Sequence, residues 1–319
     1  MTKVFTDGLS FALPLLIMAV GAIYSEKSGV TNLAIEGFQG FGAFIGALAA
    51  ILLMPHLPKS SQLPIYAAIL FAAVGGGAYA CLHALLSINF KANQVISGVV
   101  VNILAVALTT FFTSAANTAL TGTASNKFIL GVSNRYSIPV LSKIPWIGGL
   151  FQKMYPFEWI IIALVIFFWY LMYRTRYGMR LRACGENPQA LDAAGGNVVR
   201  TRWIAVIISG ALSGIGGICF AYSIMANFSP SIYMGYGYLA IAAMIFGNWN
   251  ILPTVLVCLV FGLAKAGGQQ MCIAMKLSSN FTDLFNMLPY ILTMLLLVFF
   301  SKRNHPPQAA GRPWDRSRR

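Results

Sequence analysis

Four polar residues stand together where the first two apolar runs of the sequence meet: Glu26, Lys27, Asn32 and Glu36. An ionisable group near membrane depth is expensive enough to need a partner or a water-lined cavity. The cluster therefore reads as part of a solute pathway or an inner gate, with a plain loop position as the other reading. Asn93, Gln94 and Asn102 fall near two helical turns apart, which places them on one helix side. Such amides either line a pathway or hydrogen-bond helix to helix, and both readings stand. Hydrolytic chemistry has no residues to work with. No GxxxxGK(S/T) phosphate loop occurs. His56, His83 and His305 are isolated from one another and from carboxylate clusters. Cys81, Cys184, Cys219, Cys258 and Cys272 show no CxxC or paired spacing. No catalytic residue, metal site or cofactor is expected.

The elements that position these residues are membrane helices. Of 319 residues, 58% are hydrophobic and only 9% charged, far from the roughly one-quarter charged share of soluble domains. A helix needs about 20 mainly apolar residues to cross the hydrocarbon core. Runs of that kind fall at about 9–24, 38–54, 64–87, 94–114, 158–173, 203–226, 251–268 and 284–300. A shorter run at 236–247 is hemmed in by Gly235, Gly237 and Gly247. Arginines crowd 174–202 and basic residues crowd 302–319, each beside an apolar span, which is the positive-inside signature of cytoplasmic segments. An even number of crossings must separate the two clusters, so the short run counts as a crossing and the total is about nine. The fold class is an all-α polytopic membrane protein, with residues 1–304 as one transmembrane domain and a cytoplasmic C-terminus. The net charge of +14 belongs to this topology and not to a nucleic-acid partner.

By the same count, residues 115–157 form an external segment, either a docking surface or a connector. The basic, proline-containing tail 305–319 has the composition of a disordered segment adhering to anionic lipid. A cleavable leader over residues 1–22 is disfavoured because further spans follow at once. Glycines inside the spans, at 40, 42, 46, 75–77, 210, 214, 216 and 217, predict close helix packing.

The cytoplasmic loop 175–202 carries the most local information. Asn187 suits an N-cap, Pro188 the first turn, and Gly195 or Gly196 the stop of a helix of about seven residues. So short a helix is not stable alone in water. Its Ala190, Ala193 and Ala194, beside Glu186 and Asp192, suit a groove on another protein, with a solvated connector as the alternative.

Gly185 to Pro188, Ala190, Ala193, Ala194 and Gly195, preceded by Gly178 and residues 180–183, resemble the coupling loop of the permease family shared by branched-chain amino acid, simple sugar and nucleoside importers. Ser25 to Gly37 matches the SERxGVxNLxxEG string of its nucleoside branch. Residues 93–102 resemble its NEVISGxxxN string, and residues 241–249, ending in Trp249, resemble AAVIFGxW. Lys27, Gln94 and Gly196 depart from the usual Arg, Glu and Ile.

The resemblance implies a permease subunit of an ATP-binding-cassette importer in a bacterial cell membrane. Its implied partners are an ATP-binding subunit that hydrolyses ATP, a second homologous permease, an extracellular substrate-binding lipoprotein and a small-molecule solute. It implies ATPase coupling at Gly185, Glu186, Asn187, Ala190, Ala193, Ala194 and Gly195. A pathway or gate is expected at Asn32, Glu36, Asn93, Gln94, Asn102 and Trp249. Nucleosides are the implied cargo, with a simple sugar or a branched-chain amino acid as the alternative. A stand-alone secondary transporter or channel, driven by ions, is a different class, and it would need coupling carboxylates in the spans, where beyond residue 200 only Lys265 is charged apart from the ends.

Overall fold

A computed structural model describes residues 2–58, 61–131, 135–137, 154–231, 235–275, 285, 287–300 and 304–315. Much of the expected external segment 115–157 and residues 316–319 of the tail lie outside these. The described chain is mostly helical. The long helices are α1 (Thr2–Lys27), α2 (Ile35–Leu53), α3 (Leu63–Ala84), α4 (Gln94–Thr121), α5 (Pro156–Arg174), α8 (Val198–Phe220) and α10 (Ile251–Ala274). Between α5 and α8 lie α6 (Arg176–Glu186) and α7 (Pro188–Ala193); α9 (Tyr236–Phe246) and α11 (Leu288–Phe300) complete the set. Among the described residues, seven helices are long and apolar enough to cross a membrane. The two remaining crossings expected from the sequence fall on α9 and α11, which have 11 and 13 described residues.

α1 is the central post of the bundle. Of its most apolar window 94% is buried, and it packs against α8 and α10 along its length. A second seam joins α2, α3 and α8, where glycines bring backbones together. A Cβ at Gly76 would lie 2.3 Å from the Gly210 carbonyl oxygen, and one at Gly214 would lie 2.2 Å from that of Ala72. Helix association in lipid depends on such close approach. Gly40, which the sequence groups with them, has open space beside it.

The two ends of the bundle are distinct. At one, Phe128–Ile129 pairs antiparallel with Asn227–Phe228, and Asn117 Nδ2 donates to the carbonyls of Ser125 and Lys127 at 2.5 and 3.0 Å. At the other, α6 and α7 pack beneath α1 and α8. α9 does not run from end to end. Its N-cap is Gly235, whose φ of +99° suits glycine. At about 1.5 Å per residue it spans only about 16 Å before the turn at residues 247–250, beside the α7 end.

Candidate functional site

At the α7 end, the sequence signals of the loop are realised as local structure. Asn187 Oδ1 accepts the Ala190 N–H at 3.0 Å as the N-cap of α7, and Gly195 takes φ +79° beyond its end. One face is buried: Cys184, Leu191 and Val198 form a small core against Trp314. The other face, comprising Glu186, Asn187, Ala190, Ala193, Ala194 and Gly195, is exposed. Gly185 differs from these residues in being buried. Its carbonyl accepts the Ala309 N–H at 2.8 Å, and a Cβ there would lie 2.3 Å from the Lys27 carbonyl oxygen. Gly185 therefore lets α6 touch the end of α1. Burial raises the Cys184 thiol pKa, opposed by the nearby Arg202 guanidinium; at neutral pH it stays a neutral member of the small core.

The tail departs from expectation here. Residues 304–315 form a strap across α6 and α8. His305 N–H donates to Asn248 Oδ1 at 2.8 Å, buried Arg202 donates to the Arg312 carbonyl at 3.1 Å, and Lys91 pairs with Asp315 at 2.9 Å. Composition alone suggested disorder; an apolar anchor, Trp314, and a buried guanidinium beneath the strap explain the order. Removing residues 305–319 should leave Arg202 without this acceptor. The expected result is a permease inserted in the membrane but lower in thermal stability by several degrees, read by fluorescence-detected size exclusion after heating.

The polar residues between the spans make a set of specific hydrogen bonds. Glu26 Oε2 accepts the Trp249 indole N–H at 2.5 Å. Asn32 accepts from the Ala34 N–H at 2.9 Å and donates to Ser209 Oγ at 3.1 Å. Gln94 Oε1 accepts the Thr31 N–H at 2.7 Å. Asn102 accepts the Gly37 N–H at 2.7 Å and donates to the Leu33 carbonyl at 2.8 Å and to the Tyr238 hydroxyl at 3.0 Å.

Glu36, at the start of α2, accepts the Gly235 and Gly237 N–H groups at 2.5 and 2.7 Å. The carboxylate thereby occupies the positive end of α9, where unpaired amides would otherwise be costly in a membrane. The arrangement resembles the half-helix ends that bound ion and substrate sites in transporters.

Asn93 stands apart from this set. It is exposed, and its Oδ1 caps α4 by accepting the Val95 and Ile96 N–H groups at 2.9 and 3.1 Å. His83, which the sequence shows isolated from other histidines and from carboxylate clusters, is buried with Nδ1 2.9 Å from Ser97 Oγ and Nε2 3.3 Å from the Thr31 carbonyl. It braces the same α2–α3–α4 corner, and its only sequence signal was its place inside an apolar run.

A helical bundle with a central post, a half-helix capped by a carboxylate and a small exposed helix at one end is the architecture of a membrane permease. The chain belongs to the family described as branched-chain amino acid transport system, permease component, whose profile matches residues 4–297. It is 36% identical over 309 residues to the nucleoside ABC transporter permease protein NupC of Lactococcus lactis subsp. cremoris (strain MG1363), covering 95% of this chain and 93% of that protein. It is 34% identical over 316 residues to the guanosine ABC transporter permease protein NupQ of Bacillus subtilis (strain 168), covering 98% and 96%. A solved ABC transporter described as of metal-chelate type, in an inward-facing conformation, shares the fold at a TM-score of 0.51 and 18% identity, covering 93% of this chain and 85% of that one.

Proposed function

We propose that this chain is one of two permease subunits in an ATP-driven importer of nucleosides, and that it crosses the bacterial cell membrane nine times. The observation that supports the cargo most strongly is near-full-length similarity to two permeases whose names specify nucleosides or guanosine. In this reading α9 and α11 supply the seventh and ninth crossings, with the non-helical backbone of residues 226–231 preceding α9. Irregular backbone is tolerated at membrane depth only when surrounded by protein. The α7 end faces the cytoplasm, as the arginines of 174–202 favour, and residues 115–157 face outside, where they meet an extracellular binding protein.

The exposed face of α7 is then the coupling surface for the ATP-binding subunit. Its motion reaches the Glu26–Trp249 and Glu36–α9 contacts through Gly185, which abuts Lys27. Asn32, Glu36, Gln94, Asn102 and Trp249 act as an inner gate, whereas Asn93 serves α4 as its cap.

Gly195→Arg and Glu186→Arg test the coupling surface. Gly195 adopts a left-handed φ, and a long side chain on either residue obstructs a partner's groove. Both variants should reach the membrane at wild-type amounts yet lose transport by at least about tenfold, the equivalent of roughly 1.4 kcal/mol of docking. Normal uptake by both would make this loop a connector. The cargo is tested by competing labelled guanosine uptake against excess unlabelled nucleoside, ribose or leucine. Inhibition by nucleoside alone is expected, and inhibition by ribose or leucine alone would place the protein with another branch.

A further inference from the structure

The strap over residues 304–315 shapes the surface on both sides of α7. On one side, a cavity of about 470 Å³ lies between the start of α7, at Glu186 and Gln189, and the strap, at Gln308, Arg312, Pro313 and Trp314. On the other, a cavity of about 350 Å³ is lined by Asp192, Gly195, Val199 and again Trp314. α7 is therefore a ridge between two clefts, and Trp314 forms a wall of both.

The strap is fastened largely through its backbone. The Ala309 N–H donates to the Gly185 carbonyl at 2.8 Å, the Arg312 carbonyl accepts from Arg202 at 3.1 Å, and the His305 N–H donates to Asn248 Oδ1 at 2.8 Å. The Gln308, Arg312 and Pro313 side chains stay exposed at the larger cleft. A surface fixed in advance in this way loses little freedom when a partner binds.

The lining indicates what kind of partner that is. Small-molecule pockets are lined mostly by apolar and aromatic side chains, whereas the larger cleft is mainly polar around Trp314, Pro188 and Pro313. Its charges balance. Glu186 lies on the α7 wall and Arg312 on the strap wall, while Asp315 pairs with Lys91 at 2.9 Å. A balanced cleft gives a phosphate or an anionic lipid headgroup no electrostatic preference. A polar rim around a half-buried tryptophan, with an exposed arginine beside it, is the composition of a protein–protein interface. Both clefts open beside the exposed α7 face, so a partner that grips α7 from either side meets the strap in each.

We propose that the docking site for the ATP-binding subunit is composite: segments of that subunit straddle α7, and the C-terminal strap is the second wall against which they seat. The proposal rests on the coupling reading of α7 above and adds the strap to that site. The test places the two permeases in lipid nanodiscs and measures the Kd of the purified ATP-binding subunit for wild type, Ala193→Arg, Gln308→Trp and Arg312→Glu. Ala193→Arg obstructs the exposed face of α7 alone. Gln308→Trp fills the larger cleft, and Arg312→Glu turns it acidic while keeping the carbonyl that Arg202 uses. The melting temperature of each permease pair is recorded alongside.

All three variants should bind the ATP-binding subunit at least about tenfold more weakly, at wild-type melting temperatures. Wild-type affinity in both strap variants, with weak binding by Ala193→Arg, would overturn the composite site and leave the coupling reading intact. Wild-type affinity in all three would overturn the coupling reading, and the composite site with it. Weak binding by the strap variants that tracks a lowered melting temperature would make the strap a brace and overturn its role in docking. Wild-type affinity in the strap variants with a transport defect confined to discs containing anionic lipid would give the cleft to headgroups, and would overturn the proposal equally.

Discussion

Gly214→Val should remove most of the folded protein from the membrane, whereas Gly40→Ala should leave both its amount and its transport unchanged. The two glycines look alike in the sequence and differ in what surrounds them. At Gly214 a Cβ would lie 2.2 Å from the Ala72 carbonyl oxygen and 3.2 Å from the Gly42 Cα. These neighbours are backbone atoms of α3 and α2, which cannot rotate aside as a side chain can. Accommodating valine means separating α8 from both helices along the whole seam. Overpacking a core commonly costs about 1–3 kcal/mol where side chains can yield, and more is expected where only backbones meet. At Gly40 nothing lies within 4 Å. Quantifying detergent-extracted, monodisperse protein from equal membrane samples decides it, and normal recovery of Gly214→Val would refute the packing of this seam.

Glu36→Ala should abolish transport at near-normal protein levels, and Glu36→Gln should reduce it by about tenfold. Glu36 accepts two backbone N–H groups at the start of α9, at the positive end of a helix dipole. Alanine leaves both donors without this acceptor in a setting where water cannot replace it. Glutamine retains one acceptor oxygen but turns an amino group toward the second donor. Hydrogen bonds to charged groups contribute about 1.5–3 kcal/mol, and 1.4 kcal/mol corresponds to a factor of ten. Uptake rate normalised to membrane-embedded protein reads the effect. Full activity of Glu36→Ala would show that this contact has no part in the transport cycle.

The parts of this molecule set by local signals were legible from residues alone. Apolar length located the spans, and Asn187 with Gly195 located the ends of α7, because a cap needs only a side chain and the turn beside it. The short run after Gly235 was visible, and its pairing with Glu36 was not, since the partners are 199 positions apart. α6 was read as loop because its arginines hide an amphipathic helix with Gly178, Leu181 and Cys184 buried. The tail 305–319, whose residues 305–315 lie in the strap, was read as disordered for a related reason. Proline and arginine dominate its composition, while its order comes from Trp314 and from an acceptor for Arg202, contacts made only in the folded molecule. Asn93 was grouped with Gln94 and Asn102 by spacing, but its position just before α4 makes it a cap.

The most direct test of the account is ATP-dependent guanosine uptake into proteoliposomes assembled from the binding protein, the ATP-binding subunit and the permeases, with and without this chain. The account predicts uptake that needs ATP, stops when this chain is omitted, and is competed by nucleosides but not by ribose or leucine. Guanosine uptake that proceeds equally without this chain, or without ATP, would contradict it.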